Sequence, residues 1–147
     1  GEWRPRASIP TLASAMDVGN PSNMERLRWL FPALHDLRGA FSAYSVSDDE
    51  IRASIRLDYA AYGQTWCPHT ATAAHLYRQL PAERRKERWV LVGTAHPAKF
   101  NDVVEPLIGA AVPVPAALAD LLSLPSLQQD VAPHLEDLRN VLKGNPA

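Results

Sequence analysis

The stretch RWVLVGTAHPAKF, residues 88–100, decides how this chain is built. Residues 89–92, Trp-Val-Leu-Val, form a continuous apolar run, which suits a strand covered on both faces as in a parallel sheet. Gly93, Thr94 and His96 then form a turn, and Pro97 suits a first helical position, where a missing amide hydrogen costs nothing. Phe100, Val103, Val104, Leu107 and Ile108 recur at helical spacing, so the pattern is strand, turn, helix. A lone strand leaves backbone groups unpaired on both edges. Its partners are therefore expected outside these 147 residues, unless the weaker run AFSAYSV, 40–46, supplies a second strand.

Upstream of this unit the pattern is helical. Pro21, Ser22 and Asn23 read as a helix start, followed by Met24, Leu27, Phe31, Leu34 and Leu37. One helix over 22–37 is expected, with Pro32 as the place for a kink or early stop. The run from Ser47 to Glu50, SDDE, is a capping box. It opens a helix with Ile51, Ile55, Tyr59 and Tyr62 on the inner face and Gly63 as its stop. A third helix starts at Pro68, with Ala73, Leu76, Tyr77 and Leu80 as its buried stripe. Downstream, a proline-rich connector leads to a short helix over 116–122 and a last one carrying Val131, Leu135, Leu138 and Leu142.

Composition bounds the function. A length of 147 residues is about one domain, and 46% hydrophobic with 21% charged residues is ordinary for a globular protein. Fifteen basic residues against sixteen acidic ones leave no excess field for nucleic acid or an anionic membrane. The basic run ERRKER, 83–88, holds two acids of its own and reads as a solvated turn. The longest uncharged stretch, 106–119, contains three prolines and is too short to span a bilayer. A single cysteine, Cys67, excludes an internal disulfide and fits a reducing, cytoplasmic setting. Neither Trp66 nor Pro68 beside it would lower a thiol pKa, so a small buried side chain is expected, with a nucleophile as the alternative that His69, two residues on, keeps open. The opening GEWRPRASIP, 1–10, has neither an initiating Met nor an element start, which suggests a piece of a longer chain.

Most catalytic patterns are missing. His69 and His75 lie six apart on one helix and so on different faces, and no HxxxH or CxxC spacing occurs, so no metal is expected. His35 and His134 read as helix-surface or edge residues. No glycine-rich phosphate loop and no GxSxG nucleophile turn can be drawn. Thr94 remains, just past the carboxyl end of the expected strand, where ligands sit in open α/β sheets. Its hydroxyl both donates and accepts, so it suits a ring nitrogen or a phosphate. Spacing alone also leaves Thr94, His96 and Lys99 readable as an ordinary turn and helix entry.

Three motifs, AMDVGNPSNMERL (15–27), PHTATAAHLYRQL (68–80) and GTAHPAKF (93–100), resemble in order and spacing the C-terminal part of threonine synthases. The resemblance covers nearly the whole chain, 1–147, with 110–147 as a C-terminal connector and short helices. It implies an α/β fold: a helix-rich part of a parallel-sheet domain of a fold-type II pyridoxal-phosphate enzyme, incomplete without the upstream chain. The implied reaction converts O-phospho-L-homoserine and water to threonine and phosphate, with pyridoxal 5'-phosphate as electron sink. Carried over by motif, Thr94 is the cofactor-binding hydroxyl beside the pyridine nitrogen, and His69, Asn23 and His96 are candidates for lining the cleft. Capping or an inter-helix hydrogen bond is the simpler role for His69 and Asn23.

The family's Schiff-base lysine and its phosphate-gripping loop lie upstream. Lys86, Lys99 and Lys143 stand in none of the expected surroundings, so no catalytic residue is expected in this segment and its partner is the upstream part of the same enzyme. Two other readings are a related phospho-lyase that releases a keto acid and a non-catalytic binding fragment.

Overall fold

A computed structural model describes residues 4–14, 17–122, 124–125 and 127–144. Residues 1–3 of the opening stretch, Ala15 and Met16 of the 15–27 motif, and Ser123, Ser126 and 145–147 of the tail lie outside the described residues. The chain divides into two units, Gly1–Pro113 and Val114–Ala147. The first holds helices α1 (Met24–Leu30), α2 (Leu34–Ala40), α3 (Asp48–Tyr62), α4 (Pro68–Gln79), α5 (Ala82–Arg85), a 3-10 turn (Pro97–Phe100) and α6 (Asn101–Ile108). The second holds α7 (Ala116–Leu122) and α8 (Leu135–Leu142).

Helix α3 is the frame of the first unit. The Ser47 amide donates to Glu50 Oε2 at 2.7 Å, and the Glu50 amide donates back to Ser47 Oγ at 3.4 Å, so the expected capping box is formed. Gly63 ends the helix at φ 64°, a left-handed conformation that disfavours a side chain. The buried face is Ile51, Ser54, Ile55 and Asp58. Tyr59 is half-buried and Tyr62 is 81% exposed, so the inner stripe ends one turn earlier than the apolar pattern suggested. Asp58 ends it: its carboxylate accepts from Trp66 Nε1 at 2.7 Å and from Arg78 Nη1 at 2.5 Å. Arg78 also donates to the Ser54 hydroxyl. A buried carboxylate needs such partners, and here they staple α3 to α4.

Helix α4 starts at Pro68 as expected, but it is rotated relative to the expected stripe. Pro68, Thr70, Ala71 and Ala74 are buried, whereas Ala73, Leu76, Tyr77 and Leu80 are half-buried. The inward residues are small, which lets α3 approach closely and leaves the larger side chains at the rim. The core is Ile51, Ile55, Ala71, Val104 and Val112, with Val46, Phe100, Leu107 and Ile108 among the side chains packed on it. Val104 comes from α6, which Gly109 ends at φ 67°. The Val112 amide then donates to Glu105 Oε1 at 2.9 Å, folding the connector back on the helix.

Neither candidate strand is formed among the described residues. Residues 88–94 form no strand, and no strand occurs among the described residues. Val90 is 80% and Val92 68% exposed, so the apolar run lacks both the ladder and the cover that would make it a strand. Residues 41–46 have no regular structure either. The helix expected over 22–37 is broken into α1 and α2 around Pro32, since a proline ring clashes with the preceding turn and offers no amide. The basic run becomes α5 and a turn, all exposed, with Lys86 paired to Glu83 and Arg84 to Glu87.

The N-terminal loop is tied to this frame. Asp17, at φ 45°, accepts from the Thr11 amide at 3.2 Å and the Thr11 hydroxyl at 2.8 Å. Bonds from Ser14 and Thr11 hold its carboxyl below the ordinary value. The Leu12 amide donates to Asp48 Oδ1 at 3.0 Å, which anchors the loop to the first turn of α3. Gly19 passes so close to Arg6 that a Cβ would lie 2.1 Å from the Arg6 carbonyl oxygen.

Two stability tests follow from this packing. Ile55→Ala in the protein should cost about 2–4 kcal/mol in denaturant unfolding, whereas Tyr62→Ala should stay within about 0.5 kcal/mol. Equal costs would contradict the described core. The second test is pH. Bonds from the Ser47 amide and hydroxyl hold the Glu50 carboxyl below its ordinary value. Its folded pKa is therefore depressed, so the box stabilises above the ordinary glutamate range and loses that contribution as pH falls through the lower folded value. The Tm advantage of wild type over Glu50→Gln should shrink on acidification. An advantage that is constant with pH would show that the charge is not involved.

Candidate functional site

Two backbone features converge at one place: the N-terminus of α4 and the turn at 93–97. A helix start leaves its first amides without intrahelical partners. Here Cys67 is the residue before the helix, and its Sγ accepts from the Thr70 amide at 3.4 Å. The Thr70 hydroxyl lies 3.1 Å from the same sulfur and accepts from the Thr94 amide at 3.3 Å. Thr94 Oγ1 stands 3.9 Å from Cys67 Sγ. Residues 27 apart in sequence thus share one small polar cluster.

The turn has its own logic. His96 is extended, and its Nδ1 accepts from the Ala98 amide at 3.2 Å, so the imidazole caps the 3-10 turn that Pro97 opens. With Nδ1 as acceptor, the ring proton of neutral His96 resides on Nε2. Lys99 is exposed on the same turn.

A cleft of about 400 Å³ opens over the cluster, lined by Gln64, Thr65, Trp66, Cys67, Thr70, Gly93, Thr94, Ala95, His96 and Pro97. None of these is an Asp or Glu. Cys67 and Thr70 form its floor at 1% and 2% exposure, while Thr94 is exposed. Trp66, held by Asp58, fixes one wall. A second depression, about 800 Å³, is lined by residues between Arg4 and Pro21, none of them a site residue expected from sequence.

Thr94 and His96 therefore lie together, and His69 and Asn23 do not line this cleft. The His69 ring is half-buried against Phe100 at 5.3 Å between centroids, and its Nδ1 is buried with no partner among the described residues. Asn23 precedes α1 with helical backbone angles, φ −68° and ψ −9°, and its side chain makes no cap bond. An N-cap side chain reaches the next amides from an extended backbone, so the capping role expected of Asn23 is not formed. His134 precedes α8 without a side-chain cap bond, and exposed His35 pairs with Asp36. Among the described residues, no three His, Cys, Asp or Glu side chains gather as a metal site would require, and no helix is long and apolar enough to cross a membrane.

Cys67 is the small buried side chain that sequence indicated, but sequence reading missed that it and Thr70 join the turn at Thr94. Burial pushes the Cys67 thiol up. The Thr70 hydroxyl and amide, the Thr94 hydroxyl and the Ala95 amide together outweigh it, so the thiol lies below its ordinary value. The groups responsible are not the immediate neighbours Trp66 and Pro68. The available signal was positional: a residue before an N1 proline caps the helix, and Thr70 stands three positions on.

Residues 70–142 match the family described as threonine synthase, C-terminal. The chain is 36% identical over 148 residues to a threonine synthase of Serratia marcescens, covering 100% of this chain and 34% of that protein. It is 34% identical to a threonine synthase of Escherichia coli, covering 97% of this chain and 32% of that protein. It shares the fold of the corresponding part of a pyridoxal-phosphate-bound threonine synthase from Brucella melitensis, with a TM-score of 0.68 at 23% identity over 96% of this chain and 35% of that one. The chain spans about a third of the length of these relatives. It belongs to the threonine synthase family, whose C-terminal region it carries.

Proposed function

We propose that the whole protein is a cytoplasmic threonine synthase, converting O-phospho-L-homoserine and water to threonine and phosphate, and that this chain supplies one wall of its pyridoxal-phosphate cleft. The observation that carries the reading is the lining of the cleft, where Thr94 offers a neutral hydroxyl and no carboxylate stands among the described lining residues. The group fits that lining. A hydroxyl meets a pyridine nitrogen as donor or acceptor, whereas a carboxylate would favour the pyridinium.

When bound, pyridoxal phosphate supplies the electron sink that lets bonds at Cα and Cβ break, phosphate leave from Cγ and water add at Cβ. This chain's residues bind and orient. Thr94 holds the ring nitrogen and so sets the ring's position. Trp66 and Pro97 line the cleft and would offer apolar surface to the bound ring. His96, engaged in its cap, keeps the turn in shape.

The remaining chemistry belongs to the upstream part. Lys86 is paired with Glu83, Lys99 lies exposed on the 3-10 turn and Lys143 follows α8, and none of the three lines the cleft. The exposed run at 88–92 is the edge where upstream strands of a parallel sheet would pair with this segment. Covering Trp89, Val90 and Val92 would remove apolar surface from water.

The test is the intact protein with cofactor added. Phosphate and threonine in equal amounts are expected from O-phospho-L-homoserine, and none from the 147-residue chain alone. Phosphate with a keto acid would mean the related phospho-lyase, and no product would overturn the assignment. Thr94→Ala should lower cofactor affinity or turnover about tenfold, the scale of one lost hydrogen bond, with the fold intact by circular dichroism. Unchanged binding and kinetics would remove Thr94 from the site.

A further inference from the structure

We infer that Thr70 is the positioning residue for Thr94, setting where the ring-nitrogen partner stands; this rests on the cofactor reading of Thr94 above. Thr94 is exposed, on a turn that no strand ladder supports among the described residues. Its amide is held across the cleft by the hydroxyl of Thr70, a residue 2% exposed and 24 positions away.

The Thr70 hydroxyl is itself constrained. Cys67 Sγ lies 3.1 Å from it and accepts the Thr70 amide at 3.4 Å, so hydroxyl and amide of one residue close on the same sulfur. Buried Pro68 and Ala71 flank it on α4. The hydroxyl oxygen accepts from the Thr94 amide and also meets the sulfur, which limits its rotation. A group whose own rotamer is locked by packing and hydrogen bonds can hold another group to the tolerance that binding requires. Thr70 holds the Thr94 amide, and the Thr94 hydroxyl meets the Cys67 sulfur at the long distance of 3.9 Å, which leaves its other hydrogen-bonding positions for a ligand.

The test uses the intact protein, with Thr70→Val, Thr70→Ser, Thr94→Ala and the Thr70→Val/Thr94→Ala double variant. Valine keeps the shape of threonine and removes the acceptor. Cofactor affinity and the visible absorption and circular dichroism of bound pyridoxal phosphate are read alongside kcat and KM. Thr70→Val should weaken cofactor binding about tenfold and change the bound-cofactor spectrum in the same direction as Thr94→Ala, the scale of a small misplacement. Thr70→Ser should restore both, and the double variant should be no worse than Thr94→Ala.

A Thr70→Val protein with wild-type affinity and spectrum overturns the proposal, even if its Tm falls. So does a double variant in which the two effects add in full. If Thr94→Ala alone changes nothing, the cofactor reading of Thr94 fails and the proposal with it; if it acts and Thr70→Val does not, only the positioning role fails. Should Thr70→Val not fold, amide hydrogen exchange in the wild-type protein decides. Protection of the Thr94 amide is expected, and free exchange overturns the proposal.

Discussion

The first turn of α4 must satisfy its amides at a place where water is largely excluded, and the structure meets that demand with a sulfur and a hydroxyl. Cys67 Sγ takes the Thr70 amide, and the Thr70 hydroxyl takes an amide from the distant turn at Thr94. A helix start and a surface turn are thereby joined by the groups that cap the helix. The position of that start is fixed from below. Ala71 and Ala74 let α4 lie close to α3, and Asp58 fastens both Arg78 and Trp66. Loss of the Asp58 carboxylate would leave a half-buried guanidinium and an indole N–H without their acceptor, a costly change in a part-dry setting.

What the sequence disclosed depended on how local the cause was. The Ser47 box, the Gly63 stop and the prolines at 68 and 97 act within a turn of themselves, and each stands where sequence put it. Pro32 was legible as a break for the same reason. The inward face of α4 was not legible from apolarity. Close packing against α3 selects small side chains, so Ala71 and Ala74 are buried while Leu76 and Leu80 are left at the rim. The run at 89–92 has the composition of a covered strand, but a strand exists only with partners, and none is present among the described residues.

The site shows the same division. Thr94 and His96 were legible because they sit in one continuous motif, and the structure holds both at the cleft. Thr70 and Cys67 were not, because their role lies in a contact between segments 24 and 27 residues apart. Residue type alone also misled for Asn23, whose helical backbone keeps its amide from capping. The cleft thus draws on two segments of the chain, and the lack of Asp and Glu among its described lining residues emerges only once both are counted.

A crystal structure of the intact protein with pyridoxal phosphate bound would test the central claim most directly. The expected result is Thr94 Oγ1 within about 3 Å of the pyridine nitrogen, with the Thr94 amide still on the Thr70 hydroxyl. A carboxylate at the ring nitrogen, or a ring held by another element with Thr94 out of hydrogen-bond reach, would contradict it.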